Sequence, residues 1–234
     1  MPAITSLPRD RMLAELSLWS ADLTRLADDI ARVEAYTDLF HIDGSDGHFT
    51  PAMLFFPDQV AAIRRLTKLP LHVHLMVAAD ILPEQIAQFA DVGADLISVH
   101  VELGHALPAA FDAIAARGVA VGLVLRVETP VAACLPWLDR IRFLTLLGTA
   151  IGVKGQSLSD QACDRLREAR RSLRQAGKER VVLAADGGIR LNTVPALREA
   201  GADTVVMGSL AFGSPDLAAT TQWLHALPPS TVAA

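Results

Sequence analysis

The sequence predicts an α/β protein built as a (β/α)8 barrel, and three observations carry that reading. Apolar runs of strand length alternate eight times with runs of helical period, which implies a parallel sheet with helices outside it. The 234 residues contain no linker, low-complexity segment or charge block, so residues 1–234 are expected to form one barrel domain. An open doubly wound sheet would carry a glycine-rich fingerprint after its first strand, where this chain has Ser17-Leu18-Trp19-Ser20.

The first apolar run covers residues 13–19, and Ser20 or Asp22 is placed to cap a helix over 23–33. The second strand leads through Phe40 into His41-Ile42-Asp43 and a loop rich in glycine and polar residues. Pro57 opens a helix to residue 66, as proline suits a first turn. The third strand covers 71–77, and a helix over 81–92 stops at Gly93. The fourth strand, 96–101, carries His100 and is followed by a helix over 109–116 that stops at Gly118. The fifth strand, 119–125, ends at Arg126, with a short helix over 131–137. The sixth, 141–147, opens into a loop over 148–156 and a polar helix over 159–176. The seventh, 180–185, ends in Asp186-Gly187-Gly188, with Asn192 as a cap for a helix over 194–200. The eighth, 204–207, ends in Gly208-Ser209, and a last helix covers 217–227.

Composition narrows the function. The net charge is −5 with signs interspersed and no basic stripe, which argues against nucleic acid as a partner. No apolar run is long enough to span a membrane and the N-terminus has no apolar signal core, so a cytoplasmic protein is expected. Cys134 and Cys163 fit no zinc or redox spacing and read as free thiols.

In such barrels the site lies at the C-terminal ends of the strands. His41 and Asp43 share one face of the second strand, since side chains alternate. His74 ends the third strand and Asp186 the seventh. Taken one at a time, each reads equally well as a polar residue satisfied on a strand end. Converging on one mouth, two imidazoles and two carboxylates read as a site for one divalent ion of the Zn, Fe, Mn or Co kind. Gly187, Gly188, Gly208 and Ser209 follow the seventh and eighth strands, the usual phosphate position of these barrels. Gly152, Gly155 and Gln156 lie in the loop after the sixth strand and read as a lid.

Those segments resemble the ribulose-phosphate 3-epimerase family nearly from end to end. Ser17 to Leu23 resembles its opening, and residues 41–52 resemble its most specific motif, H-[IVL]-D-x-M-D-G-H-F-V-P-N. His74-Leu75-Met76-Val77, His100-Val101-Glu102, the glycines of 152–156, Asp186-Gly187-Gly188-Ile189 and residues 201–209 resemble its later motifs. The resemblance implies a TIM barrel of the ribulose-phosphate-binding type. It implies that His41, Asp43, His74 and Asp186 are metal ligands, with Asp43 and Asp186 also the catalytic acid/base pair. Ser17 and Met76 would bind substrate beside the glycine loops and lid. Expected partners are a small phosphorylated ketose and further copies of the chain.

The chemistry of the residues agrees with that implication. Epimerising a carbon beside a ketone needs one group to remove its proton and another to return a proton on the opposite face. Carboxylates on strands two and seven stand across a barrel mouth, and a metal would stabilise the ene-diolate between the steps. The expected reaction interconverts D-ribulose 5-phosphate and D-xylulose 5-phosphate. Alternatives are C3 epimerisation of a hexulose or tetrulose phosphate, or a non-catalytic phosphosugar-binding barrel.

Departures from the family pattern concentrate around the metal set. Ser45 and a leucine on strand six (Leu144 or Leu147) replace methionines, and Ala52 stands where asparagine is usual. His72 replaces an aspartate, Arg126 an asparagine, and Lys154 a glycine, in a strand-six segment about three residues longer than usual. Ser45 is expected to make the pocket floor more polar and Arg126 to bind an anionic group or reshape the pocket. His72 is expected in a supporting layer and His100 behind a ligand. Lys154 reads equally as a phosphate contact or a solvated lid residue. His48 is expected to hold its loop, and His105, His225 and Arg190 to lie on the surface.

Overall fold

The computed structural model describes residues 3–232. Its eight parallel strands close into a barrel in sequence order. They are β1 (Leu13–Ser17), β2 (Leu39–Ser45), β3 (Leu71–Met76), β4 (Leu96–His100), β5 (Ala120–Leu125), β6 (Phe143–Leu147), β7 (Val182–Asp186) and β8 (Thr204–Met207). Around them lie α1 (Leu26–Val33), α2 (Pro57–Leu66), α3 (Leu82–Asp91), α4 (Leu107–Ala116), α5 (Ala162–Gln175), α6 (Val194–Glu199), α7 (Ser209–Phe212) and α8 (Leu217–His225).

The two faces of each strand serve different cores. Outward residues such as Ala14, Leu16, Phe40, Ile42, Val73 and Leu75 pack under the helices in one continuous apolar cluster. A second cluster, Leu13, Leu39, Leu96, Ala120, Phe143, Val182 and Ala184, closes the barrel floor with Ile4 and Leu7 beneath it. Two residues further along the strands the same inward face turns polar, with Glu15, His41, His72, Ser98 and Thr145 all fully buried. One more step along reaches Ser17, Asp43, His74 and Asp186 at the mouth. Strand alternation therefore stacks an apolar floor, a polar middle layer and a reactive rim.

Several local readings change. Residues 131–137 form a 3-10 helix with Pro136 inside it, since proline cannot donate the i→i−4 bond of an α-helix. α1 starts at Leu26 rather than residue 23, because Asp22 uses its carboxylate to accept from Thr24 N and Oγ1 in a local turn. Thr193, not Asn192, precedes α6, its hydroxyl bonded among Gly188, Arg190 and its own turn. The short helices at Ala3–Ser6 and Ser209–Phe212 carry too little periodicity to be read in advance. His225 is half-buried against Asp38 and Arg11 rather than free on the surface, while His105 and Arg190 are exposed. No helix among the described residues is long and apolar enough to cross a membrane.

Candidate metal centre and active site

The register of neighbouring strands assembles the centre. β2 and β3 pair so that Asp43 lies beside His74 and His41 beside His72. Asp43 Oδ1 lies 3.3 Å from His41 Nε2 and 3.2 Å from His74 Nδ1. Asp186 reaches across from β7, its Oδ2 4.0 Å from His41 Nε2 and 3.9 Å from His74 Nδ1. One ligand atom from each of the four lies within 4.8 Å of all the others.

These spacings distinguish a metal set from a hydrogen-bonded one. Donor atoms about 2.0–2.2 Å from a tetrahedral ion lie about 3.3–3.6 Å apart. The edges among His41, Asp43, His74 and Asp186 bracket that range. Glu15, His41 and His72 also cluster, but Glu15 Oε1 lies only 2.8 Å from His41 Nδ1 and 2.6 Å from His72 Nδ1. That is proton-sharing distance. The four-residue set at the rim fits a divalent cation, and the triad beneath it is a hydrogen-bond network.

The network fixes which nitrogen each imidazole offers. An ionised carboxylate only accepts, so Glu15 takes the Nδ1 protons of His41 and His72, leaving His41 Nε2 facing the rim. Glu102 Oε2 accepts from His100 Nδ1 at 2.9 Å, and His100 Nε2 lies 2.8 Å from His74 Nε2. A neutral His100 then accepts at Nε2, His74 donates from Nε2, and the Nδ1 lone pair of His74 faces Asp43. Supporting carboxylates of this kind set ligand tautomer and orientation.

The two rim carboxylates are driven apart in acidity. Burial works against an ionised Asp43, but the electrostatic pull of His41, and after it of His74, outweighs burial and holds its pKa far below the usual range. Ser17 Oγ donates to its Oδ2 at 3.2 Å. Asp186 is pushed up to about 6, first by desolvation and then by the charge of Asp43, against the pull of His41 and His74. Asp43 is the firmer anion and Asp186 the more readily protonated of the two.

Above them lies a cavity of about 330 Å³. Ser17, Asp43, His74, Met76 and Asp186 line it, as do Gly152, Gly155, Gln156, Gly187, Gly188, Gly208 and Ser209. The expected site residues are thus brought together, with His41 wholly buried behind them. Gly187 and Gly188 sit at φ +91° and +69°, and a Cβ on Gly187 would come within 2.2 Å of Thr149 Oγ1. Leu147, not Leu144, is the strand-six residue in the cavity. Lys154 also lines it, its Nζ donating to Trp19 O at 2.5 Å and lying 4.6 Å from the indole centroid.

Two expectations about the surroundings fail. Ser45 does not line the cavity; its hydroxyl donates to Ala52 O at 2.8 Å and ties the loop to its own strand. Arg126 is also absent from the lining, its guanidinium stacked 4.4 Å over Phe49 and bonded to Phe49 O. His48 holds its loop only through its backbone N–H, which Asp46 accepts while also accepting from Phe49 N and Ala78 N. Sequence reasoning missed Glu15 and Asp46. The signal for Glu15 was a lone carboxylate inside the apolar run Met12 to Leu18.

The family model described as the ribulose-phosphate 3 epimerase family matches residues 13–212. The chain belongs to the ribulose-phosphate 3-epimerase family. It is 36% identical to "Ribulose-phosphate 3-epimerase" of Bacillus subtilis (strain 168), over 86% of this chain and 92% of that protein. It is 37% identical to "Ribulose-phosphate 3-epimerase 1" of Cupriavidus necator, over 86% and 84%. The ribulose-phosphate 3-epimerase fold is shared more widely: a crystal structure of 3-hexulose-6-phosphate synthase from Salmonella typhimurium superposes with a TM-score of 0.69 at 18% identity, covering 92% of this chain and 98% of that one. Membership in the ribulose-phosphate 3-epimerase family makes the chain an isomerase of the epimerase class acting on carbohydrates.

Proposed function

We propose that this chain is a metal-dependent ketose-phosphate 3-epimerase whose leading substrate pair is D-ribulose 5-phosphate and D-xylulose 5-phosphate. One observation carries the reading: Asp43 from β2 and Asp186 from β7 face the same cavity, each within 4.0 Å of the same two histidines, with Asp43 the more strongly acidic of the pair. Asp43 takes the C3 proton from one face of the ketose, and Asp186 delivers a proton to the other. The reverse reaction exchanges their roles, as microscopic reversibility requires. His41, Asp43, His74 and Asp186 would hold a divalent cation that polarises the C2 carbonyl and offsets the charge of the ene-diolate. Ser17 keeps Asp43 oriented through its hydrogen bond. Met76 and Leu147 offer apolar contact to the sugar carbons, and the glycine backbones of residues 187–188 and 208 admit the phosphate closely.

A second reading keeps the reaction and changes the sugar. Leu147, the β6 partner of Asp186, and Lys154, between Gly152 and Gly155, both line the cavity where the family pattern has other residues, which favours testing hexulose and tetrulose phosphates beside the pentose. In either case the protein acts as a cytoplasmic homo-oligomer without nucleic-acid partners.

The test is metal analysis of the purified protein beside an epimerisation assay on wild type and Asp186→Asn. One equivalent of divalent metal with pentose turnover that collapses in the variant supports the leading pair. Metal without pentose turnover moves the assignment to another ketose phosphate. Neither metal nor turnover leaves a sugar-binding barrel and sinks the epimerase reading.

A further inference from the structure

We propose that Glu15 is the positioning residue that makes His41 a metal ligand, and that it does so from a buried layer it shares with His72 and Ser98. This deepens the metal-dependent reading above and rests on it. Glu15 is wholly buried in β1, as are His41 and His72. A carboxylate in such a place is tolerated only when its lone pairs are engaged. Oε1 accepts from both imidazoles at 2.8 and 2.6 Å, and Thr204 Oγ1 lies 3.4 Å from Oε2. Ser98 Oγ, 2.6 Å from His72 Nε2, satisfies the far side of that ring. Gly122 is the β5 partner of Ser98, and a Cβ there would come within 1.9 Å of Ser98 Oγ. The layer is therefore packed from six consecutive strands, β8 and β1 to β5.

The consequence for His41 is directional. With Nδ1 committed to Glu15, only Nε2 is free, and it points at Asp43 and Asp186. Without the carboxylate, the ring is free to take the other tautomer or to rotate. The rim would then lose one of its two nitrogen donors while Asp43, His74 and Asp186 stayed in place. His72 never reaches the rim, and its contribution is to hold Glu15 from the opposite side. The location of the carboxylate, on β1 rather than β3, is arbitrary in this geometry. His41 and His72 are direct cross-strand partners with ring centroids 4.8 Å apart, so an acidic side chain at position 72 would meet the same nitrogen.

That interchangeability supplies the test. Cobalt(II) affinity is measured on chelator-stripped protein by competition with a chromophoric chelator, together with the d–d spectrum and the melting temperature. Glu15→Gln, which keeps the shape and removes the charge, is expected to bind Co²⁺ about 10- to 100-fold more weakly with an altered spectrum. Glu15→Ala/His72→Asp is expected to recover affinity to within about tenfold of wild type, and the wild-type spectrum. Wild-type affinity and spectrum in Glu15→Gln would overturn the assignment. So would a folded Glu15→Ala/His72→Asp protein that binds no better than Glu15→Gln. If wild type itself binds no Co²⁺, the metal-dependent reading fails first, and Glu15 loses its role with it.

Discussion

His74 Nε2 and His100 Nε2 lie 2.8 Å apart, linking the four-residue candidate metal set at the rim to the carboxylate of Glu102. Only one of the two can donate. Glu102, 2.9 Å from His100 Nδ1, decides that it is His74. Replacing His100 by Phe, or Glu102 by Gln, frees His74 to turn its proton toward the rim. Each change is expected to weaken divalent-metal binding by about 10- to 100-fold, read by chelator competition. The two substitutions act on one chain, so the double variant should lose little more than the worse single one. Full additivity would break the relay.

Glu102 also links the centre to acid stability. Burial acts to raise its pKa, but hydrogen bonds from His100, Thr129 and Arg126 N–H overcome it and leave it at about 2. A carboxylate whose folded pKa lies below its unfolded value stabilises the fold at pH above the unfolded value, near 4.5. That stability drains away as the pH falls from there toward 2. Glu102 is partly open to solvent, so screening holds the contribution at neutral pH to about 1 kcal/mol. In Glu102→Gln, urea-unfolding free energies should be lower at pH 7 and converge on wild type near pH 2. Parallel curves across that interval would remove Glu102 as the cause.

The barrel and its rim were legible because both are written in strand period. Alternation put His41 and Asp43 on one face, and glycine turns marked where β7 and β8 end. The middle layer was less legible. A lone carboxylate inside the run Met12 to Leu18 marks Glu15 as unusual, but nothing local says what it serves, because its partners lie 26 and 57 residues away. Arg126 and Ser45 were misplaced for a related reason. Both lie at strand ends whose side chains turn to the loop of residues 46–56, making contacts with Phe49 and Ala52 that no periodicity encodes. Tertiary pairing, not propensity, decided these positions.

The loop after β6 meets the loop after β2 at Gly152. Its φ is +72°, and a Cβ would lie 1.8 Å from Thr50 Oγ1, a buried hydroxyl with no hydrogen-bond partner. Gly152→Ala should lift the loop off Thr50 in the segment that follows β2, raising KM for the ketose phosphate about tenfold or more. The melting temperature should move by only a few degrees, because the loop is exposed and outside the core. Steady-state kinetics beside a thermal melt check both halves, and an unchanged KM would show that the lid does not bear on substrate.

Lys154 latches the same loop to the rim of β1 through Trp19. An exposed cation over indole is worth about 0.5–1 kcal/mol, so Lys154→Ala should barely alter stability. Its ammonium lies near enough to feel the charge of Asp43, and it lines the cavity. Lys154→Ala is therefore expected to raise KM severalfold with little change in kcat, and to change Trp19 fluorescence on substrate addition. A change in kcat alone would place Lys154 in the chemistry rather than in closure.

The opposed acidities of Asp43 and Asp186 lead to an isotope experiment that separates their faces. If Asp43 serves one face of C3 and Asp186 the other, removing Asp186 stops epimerisation but not proton removal by Asp43. In deuterium oxide, Asp186→Asn should exchange the C3 hydrogen of one epimer without inverting it and leave the other epimer unlabelled. Asp43→Asn should show the mirror pattern. Net turnover should fall about 10²- to 10⁴-fold in both, with asparagine keeping an oxygen ligand at each position. Exchange of both epimers by a single variant, followed by proton NMR, would mean that one group serves both faces and would end the two-carboxylate account.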